Sequence, residues 1–190
     1  MDKTAFILLD VQAITIGMIA QVINTDEYLA KVSSTLTAVR KASVPIVQVK
    51  TSYRPSYVDT SPHNSMTVNV RNSGKFKDSD PSTQLHPAIA EEAADDIYIM
   101  KRRVSAFYGT DLDIVLRSSG IGKIVIAGLA TTGAVLSTVR QAADMDYQIT
   151  VIADLCADAS DELHQFAMGK VLSKQASILS AEEWLASLEK

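Results

Sequence analysis

Cysteine is almost absent from this 190-residue chain: the only one is Cys156, so there is no internal disulfide and no cysteine-based metal cluster. Histidine is nearly as scarce. His63 and His86 lie too far apart to read as a ligand pair, and no Asp-x-His or His-x-His accompanies them, so neither a metal nor any other cofactor is expected. Basic charge is also in deficit, with 18 Lys and Arg against 22 Asp and Glu. The basic residues are scattered apart from Lys101, Arg102 and Arg103, which makes nucleic acid a poor partner. No apolar run approaches the roughly 18 residues that span a bilayer, and the first residues carry no basic segment ahead of a long apolar one. The expectation is a cytoplasmic protein with no membrane partner. Repeats and linkers are lacking too. With 47% hydrophobic residues, the chain supports one sizeable core and reads as a single domain over 1–190.

What is present centres on residues 123–147, KIVIAGLATTGAVLSTVRQAADMDY. Ile124 to Ala127 form a short apolar, β-branched run ending at Gly128, the pattern of a strand buried on both faces of a parallel sheet. From Thr132 the period becomes helical. Val135, Val139 and Ala142 share one face with Ala143, and Arg140, Gln141 and Asp144 share the other. Thr131 or Thr132 is the expected N-cap. A strand that turns through Gly128, Leu129 and Ala130 into a helix aims unpaired backbone N–H groups at the strand's carboxyl end, where they can hold an anion or a developing oxyanion. One turn into that helix an enzyme of this design would place a nucleophile. Position 134 is alanine.

Two more buried runs end in charge. Thr4 to Leu9 is followed directly by Asp10, and Ile97 to Met100 by Lys101, with Arg102 and Arg103 adding positive potential. Taken singly, each is as well explained as a cap or a solvated turn. Residues 13–25 are apolar without a clean period and read as loop with partial helix. Residues 26–42 form a helix with a stripe of Leu29, Val32, Leu36 and Val39, and Pro45 opens the second strand, IVQVK. Residues 51–87 read as a long polar loop holding four of the five prolines, the kind of loop that carries function. Arg54, just past the second strand, could pair with a substrate carboxylate there. Thr110 is the expected cap of a helix bearing Leu112, Val115 and Leu116. The remaining elements are a strand over 148–152, a helix over 161–174, a strand over 176–179 and a helix over 181–188. Cys156 reads as a small buried packing residue, with no histidine close in sequence to activate it.

Strands alternating with helices predict a three-layer α/β/α fold around a mainly parallel sheet of about six strands, with right-handed crossovers. Such sheets bind ligands at the carboxyl ends of their strands, and Asp10, Lys101 and the Gly128 turn occupy three of those ends.

The segments LLDVQ at 8–12, KRRVSAF at 101–107 and GLATTGAVLST at 128–138 together resemble the isochorismatase-like hydrolases, or cysteine hydrolase superfamily, over essentially the whole chain. The resemblance implies a catalytic set of Asp10, Lys101 and the residue at 134, where the family's Cys in the pattern Gly-x-x-Thr-x-x-Cys-Val is replaced by Ala134. It implies a cis peptide between Leu129 and Ala130, an oxyanion hole from the backbone N–H groups of Ala130 and Ala134, and a homo-oligomer. The zinc ligands of the nicotinamidase branch have no counterpart. Gln12, Arg54, Phe107, Tyr108 and Thr131 are the expected substrate contacts. Isochorismatases proper also lack the cysteine and cleave a vinyl ether. On that pattern Asp10 would be a general acid partnered by Lys101, acting on a small molecule. The alternatives are an amidase or related C–N hydrolase in which Asp10 activates water, and an inactive binding module of the same fold.

Overall fold

The computed structural model describes residues 3–90 and 95–188. Its six strands are β1 (Lys3–Leu9), β2 (Ile46–Thr51), β3 (Ile97–Lys101), β4 (Ile121–Leu129), β5 (Gln148–Ala157) and β6 (Ser177–Leu179). They form one sheet in the order β3-β2-β1-β4-β5-β6 with every neighbouring pair parallel. The near-continuous apolar runs of β1, β2 and β4 follow from this: a strand covered on both faces can expose neither set of alternating side chains.

Helices α1 (Ala13–Ile19), α2 (Thr25–Lys41), α4 (Pro87–Ala90) and α8 (Ala181–Leu188) cover one face, through Ile16, Leu29, Val32, Leu36, Ile89 and Trp184 packed on Phe6 and Leu8. Helices α5 (Leu112–Ser118) and α6 (Leu136–Asp144) cover the other, through Leu112, Leu116, Val139 and Ala142 packed on Ile7, Leu9 and Ile126. The apolar stripe of α2 falls on Leu29, Val32, Leu36 and Val39, all buried, as its 3.6-residue period requires. Asn24 caps its first turn by accepting from the Glu27 N–H, with Asp26 and Glu27 toward the positive end of the helix dipole.

Four elements depart from the sequence reading. The polar 51–87 stretch contains α3 (Ser65–Ser73), capped by Asn64 and ended by Gly74 in the left-handed region. Thr67 is its only buried residue, so the segment has no apolar stripe to betray a helix. Strand β5 runs on to Ala157, past Asp154. That carboxylate is satisfied at the surface by Lys31 at 2.8 Å and by the Ala181 N–H at the start of α8, so it does not end the strand. The 161–174 helix divides into α7 (Asp161–Phe166), a widened π turn over Ala167–Val171 and a 3₁₀ turn over Leu172–Lys174. Neither Thr131 nor Thr132 caps the helix after β4: a π turn over Thr131–Val135 leads into α6, and its cap is Asp158 from the end of β5.

In this strand order the chain leaves β1 toward β2 and β3, then returns to lay β4 on the opposite side of β1. The crevice where the crossovers part company lies at the carboxyl ends of β1 and β4. Gly128 is what allows these strands to close there. Its φ is +121°, and a Cβ added to it would lie 2.0 Å from the carbonyl oxygen of Leu9.

Candidate active site

Asp10 follows β1 directly, at a φ of +54° that turns its backbone out of the strand while its N–H still donates to Val49. Its side chain is almost fully buried, and so is that of Lys101, the last residue of β3. The two form an ion pair of 2.8 Å between Lys101 Nζ and Asp10 Oδ2. Since β3 and β1 are separated by β2, the space between them is bridged by Thr51, which ends β2 in register with Lys101. The Thr51 hydroxyl donates to Asp10 Oδ1 at 2.9 Å and accepts from Lys101 Nζ at 2.7 Å. A third ammonium contact reaches the Arg103 carbonyl at 3.4 Å. The carboxylate and the ammonium are each held from several directions, as a buried ion pair requires.

Thr51 is itself held by Gln12. The Gln12 carboxamide, with no exposed surface, accepts from the Thr51 N–H at 2.8 Å and donates to the Thr51 carbonyl at 2.9 Å and to the Thr83 carbonyl. Thr15, in the first turn of α1, donates from its hydroxyl to the Asp10 carbonyl.

These groups form one end of a cavity of about 230 Å³. Asp10, Thr51 and Lys101 lie at its base, Leu129, Ala130, Gly133 and Ala134 supply the wall from the turn after β4, and Tyr53, Met66, Val70 and Phe76 close it from the 51–87 segment. Thr15, Arg103 and Val104 complete the lining. The peptide between Leu129 and Ala130 is cis. Asp158 holds the π turn in place, accepting from the Thr132 N–H at 2.6 Å and the Thr132 hydroxyl at 2.7 Å, while its other oxygen takes the Ala159 N–H. Behind the turn, Thr131 Oγ1 lies 2.8 Å from His164 Nδ1, and burial lowers the His164 pKa against the opposing pull of Asp161 and Asp158.

Of the residues singled out in the sequence, Asp10, Lys101, Ala130 and Ala134 converge on this cavity. Five expected substrate contacts do not line it, each for a local reason. Gln12 is spent on backbone groups. Arg54 is largely exposed and paired with Asp59. Phe107 is buried against the Tyr147 ring, with centroids 5.6 Å apart. Tyr108 faces solvent at 63% exposure, and Thr131 is fully buried against His164. Thr51 escaped notice because it reads as the first residue of a polar loop. The rule that singled out Asp10 and Lys101, a polar residue directly after a buried run, would have found it as well.

Cys156 is buried in the core beside β4, opposite Gly128. Burial pushes its thiol up to about 12, despite a hydrogen bond from the Gly128 backbone, and it does not line the Asp10 cavity. Among the described residues no cluster of three His, Cys, Asp or Glu could hold a metal ion.

An ion pair and a strand-to-helix turn of this kind meet at the crevice of a 3-2-1-4-5-6 parallel sheet of the α/β class, where such sheets bind ligands. Residues 4–183 match the Isochorismatase domain, and the chain belongs to the isochorismatase family of hydrolases. It is 28% identical to the uncharacterized isochorismatase family protein YecD of Escherichia coli O157:H7, over 97% of this chain and 96% of that one. It is 30% identical to the ureidoacrylate amidohydrolase RutB of Methylobacterium radiotolerans, over 77% of this chain and 62% of RutB. Among solved structures, an isochorismatase family protein from Burkholderia thailandensis superposes with a TM-score of 0.83 at 27% identity, covering 99% of this chain and 96% of that one.

Proposed function

We propose that the protein hydrolyses a C–N bond next to a carbonyl in a small molecule, with water as the attacking group. The observation that carries this reading is the pinned Asp10 carboxylate: it accepts from Lys101 and Thr51 and shares its cavity with Ala134, which the family resemblance sets in place of a cysteine. Both Asp10 oxygens serve as acceptors in this arrangement, from Thr51 and from Lys101, and neither is placed as an O–H donor toward a carbon, which favours the amide route over vinyl-ether cleavage. The likeness to an amidohydrolase, RutB, points the same way.

In this mechanism Asp10 removes a proton from water as its oxygen bonds to the substrate carbonyl carbon. The electrons of the C=O bond move onto oxygen, where the backbone N–H groups of Ala130 and Ala134 hold the charge. When the C–N bond breaks, Asp10 passes the proton to the departing nitrogen, leaving a carboxylic acid and ammonia or an amine. Lys101 orients Asp10 and offsets its charge. The methyl group of Ala134 leaves space for the attacking water where a thiol would otherwise stand.

The test is a screen of small amides and ureido compounds beside vinyl ethers, read by mass spectrometry. Amine or ammonia release is expected, lowered about 10²–10⁴-fold in Asp10→Asn with the fold intact by circular dichroism. Pyruvate-type release from a vinyl ether, or full turnover in Asp10→Asn, would sink the assignment. Ala134→Cys should raise amide turnover if the wall geometry is that of a cysteine hydrolase.

A further inference from the structure

The roof of the Asp10 cavity is attached to the molecule differently from the rest of the chain. Tyr53, Met66, Val70 and Phe76 close the cavity, yet among the described residues none from 52 to 84 belongs to either of the two apolar clusters that flank the sheet. Met66 and Val70 stand one turn apart on α3, and Met66 remains 48% exposed while lining the cavity. The segment is knit to itself instead. Tyr53 donates from its N–H to the Phe76 carbonyl at 2.7 Å and accepts from the Asp78 N–H at 2.8 Å, and the Tyr57 hydroxyl donates to the Lys75 carbonyl at 2.6 Å. Cross-tied in this way, it can move as one piece.

Its two ends are anchored, by β2 on one side and by the Gln12 bond to the Thr83 carbonyl on the other. In between, over 54–80, the hydrogen bonds and ion pairs that reach the rest of the chain, among the described residues, all come from Asp59. Asp59 Oδ2 accepts from Arg102 Nε at 2.6 Å, a short charge-assisted bond, and the Asp59 main-chain carbonyl accepts from Arg103 Nη1 at 3.0 Å. These arginines directly follow Lys101, so the tie lands beside the Asp10–Lys101 pair. From within the segment, Oδ2 also takes the Arg54 N–H at 3.1 Å and Arg54 Nη1 at 3.3 Å. Burial pushes the Asp59 carboxyl up, but the backbone hydrogen bonds and Arg102 outweigh it and hold the group below the usual carboxylate range, so it is ionised at neutral pH. The other oxygen, Oδ1, is buried with no partner among the described residues, which costs the closed arrangement part of what Oδ2 gains. A tie balanced in this way can release and re-form.

We infer that the 54–80 segment is a lid over the Asp10 cavity and that Asp59 is its latch, a positioning residue that fastens the lid to the Lys101 end of β3. Opening carries Met66, Val70 and Phe76 away from the cavity and admits a ligand, and closure brings them back over it. The exposed surface of Met66 is what an occupant then covers. The inference concerns access to the cavity and holds whichever bond is cleaved there.

Hydrogen exchange of the unliganded protein, read by mass spectrometry, tests the latch. In Asp59→Asn and in Arg102→Gln, amide exchange over 53–78 should rise about tenfold or more while β1 and β4 stay protected. Arg102→Lys should restore part of the protection. Asp59→Asn combined with Arg102→Gln should exchange no faster than the faster single variant, since both break one tie. Arg54→Gln should have little effect, because Arg54 meets the same carboxylate from within the lid. Access is read separately in Ala134→Cys, which puts a thiol on the cavity wall. Adding Asp59→Asn should speed its reaction with N-ethylmaleimide about tenfold, with buried Cys156 unreacted as the internal control. Unchanged exchange in both single variants, faster exchange spread evenly over the sheet, Arg54→Gln as disruptive as Arg102→Gln, or an unchanged maleimide rate would each overturn the inference. Should Asp59→Asn fail to fold, Arg102→Gln, which alters a partly exposed side chain, decides both readouts.

Discussion

Gln12 is the residue on which the geometry of the Asp10–Lys101 pair turns, although it lines no part of the cavity. Its carboxamide takes the place of a neighbouring strand, pairing with both the N–H and the carbonyl of Thr51 and tying them to the Thr83 carbonyl. Through Thr51 it positions Asp10 and Lys101 together. Gln12→Leu fills similar volume but strands these backbone groups in a buried setting, at about 1–3 kcal/mol for an unsatisfied group. Urea unfolding should report a loss of about 2–4 kcal/mol. Turnover of the folded variant should fall as well. Gln12→Glu should recover part of the stability, because the carboxylate can still accept from the Thr51 N–H. A Gln12→Leu variant as stable as the wild type would show that the segment has another source of order.

At the scale of elements, the turn after β4 is held from outside rather than by its own side chains. Asp158 caps it, and His164 on α7 meets Thr131 from behind. Burial lowers the folded-state pKa of His164, so the neutral imidazole is the form that fits. The unfolded chain then binds the extra proton first as pH falls. Stability from this contact is complete above the unfolded value of about 6.5 and is lost as pH drops from there through the lowered folded value. Thermal unfolding followed between neutral and mildly acid pH should give a falling midpoint, with a shallower fall in His164→Gln. Equal slopes would mean that the Thr131 contact does not depend on the charge of the ring.

For the whole molecule, the decisive contact is the approach of β1 and β4 beside the site. Gly128→Ala would set a methyl carbon against the Leu9 backbone at a φ that L side chains rarely adopt, and neither strand can yield without displacing Asp10, the residue after Leu9. The loss should exceed about 4 kcal/mol, in the range reserved for disrupted cores, and is expected to appear as insoluble or unfolded protein. A folded and active Gly128→Ala variant would mean that the two strands separate more easily than their register implies. By contrast, substitutions at exposed Ile114 or Tyr108 should change stability by no more than about 0.5 kcal/mol.

The division between what could be read in advance and what could not follows the range of the forces involved. Hydrophobic period and the chemistry of strand ends are local properties. They were enough to place the six strands, the stripe of α2, the turn after Gly128, and Asp10 and Lys101 as candidates. Helix α3 stayed hidden because its stability comes from capping and not from an apolar face, and β5 was read short because Asp154 finds its partners on α2 and α8. Which polar side chains touch substrate is decided later still. Gln12 to Thr51, Thr51 to Asp10 and Lys101 to Thr51 are bonds between residues 39, 41 and 50 positions apart. Arg54 and Arg103 are alike as sequence, and only the folded loop gives the one the Asp59 carboxylate and the other the Asp59 and Arg102 carbonyls. The amino-acid sequence by itself determined the parallel sheet and the charged strand ends, because burial and periodicity act within a few residues. The tertiary structure decided which charges are spent on each other and which on backbone groups, because hydrogen bonds and ion pairs form between whichever groups the packed sheet brings within about 3 Å.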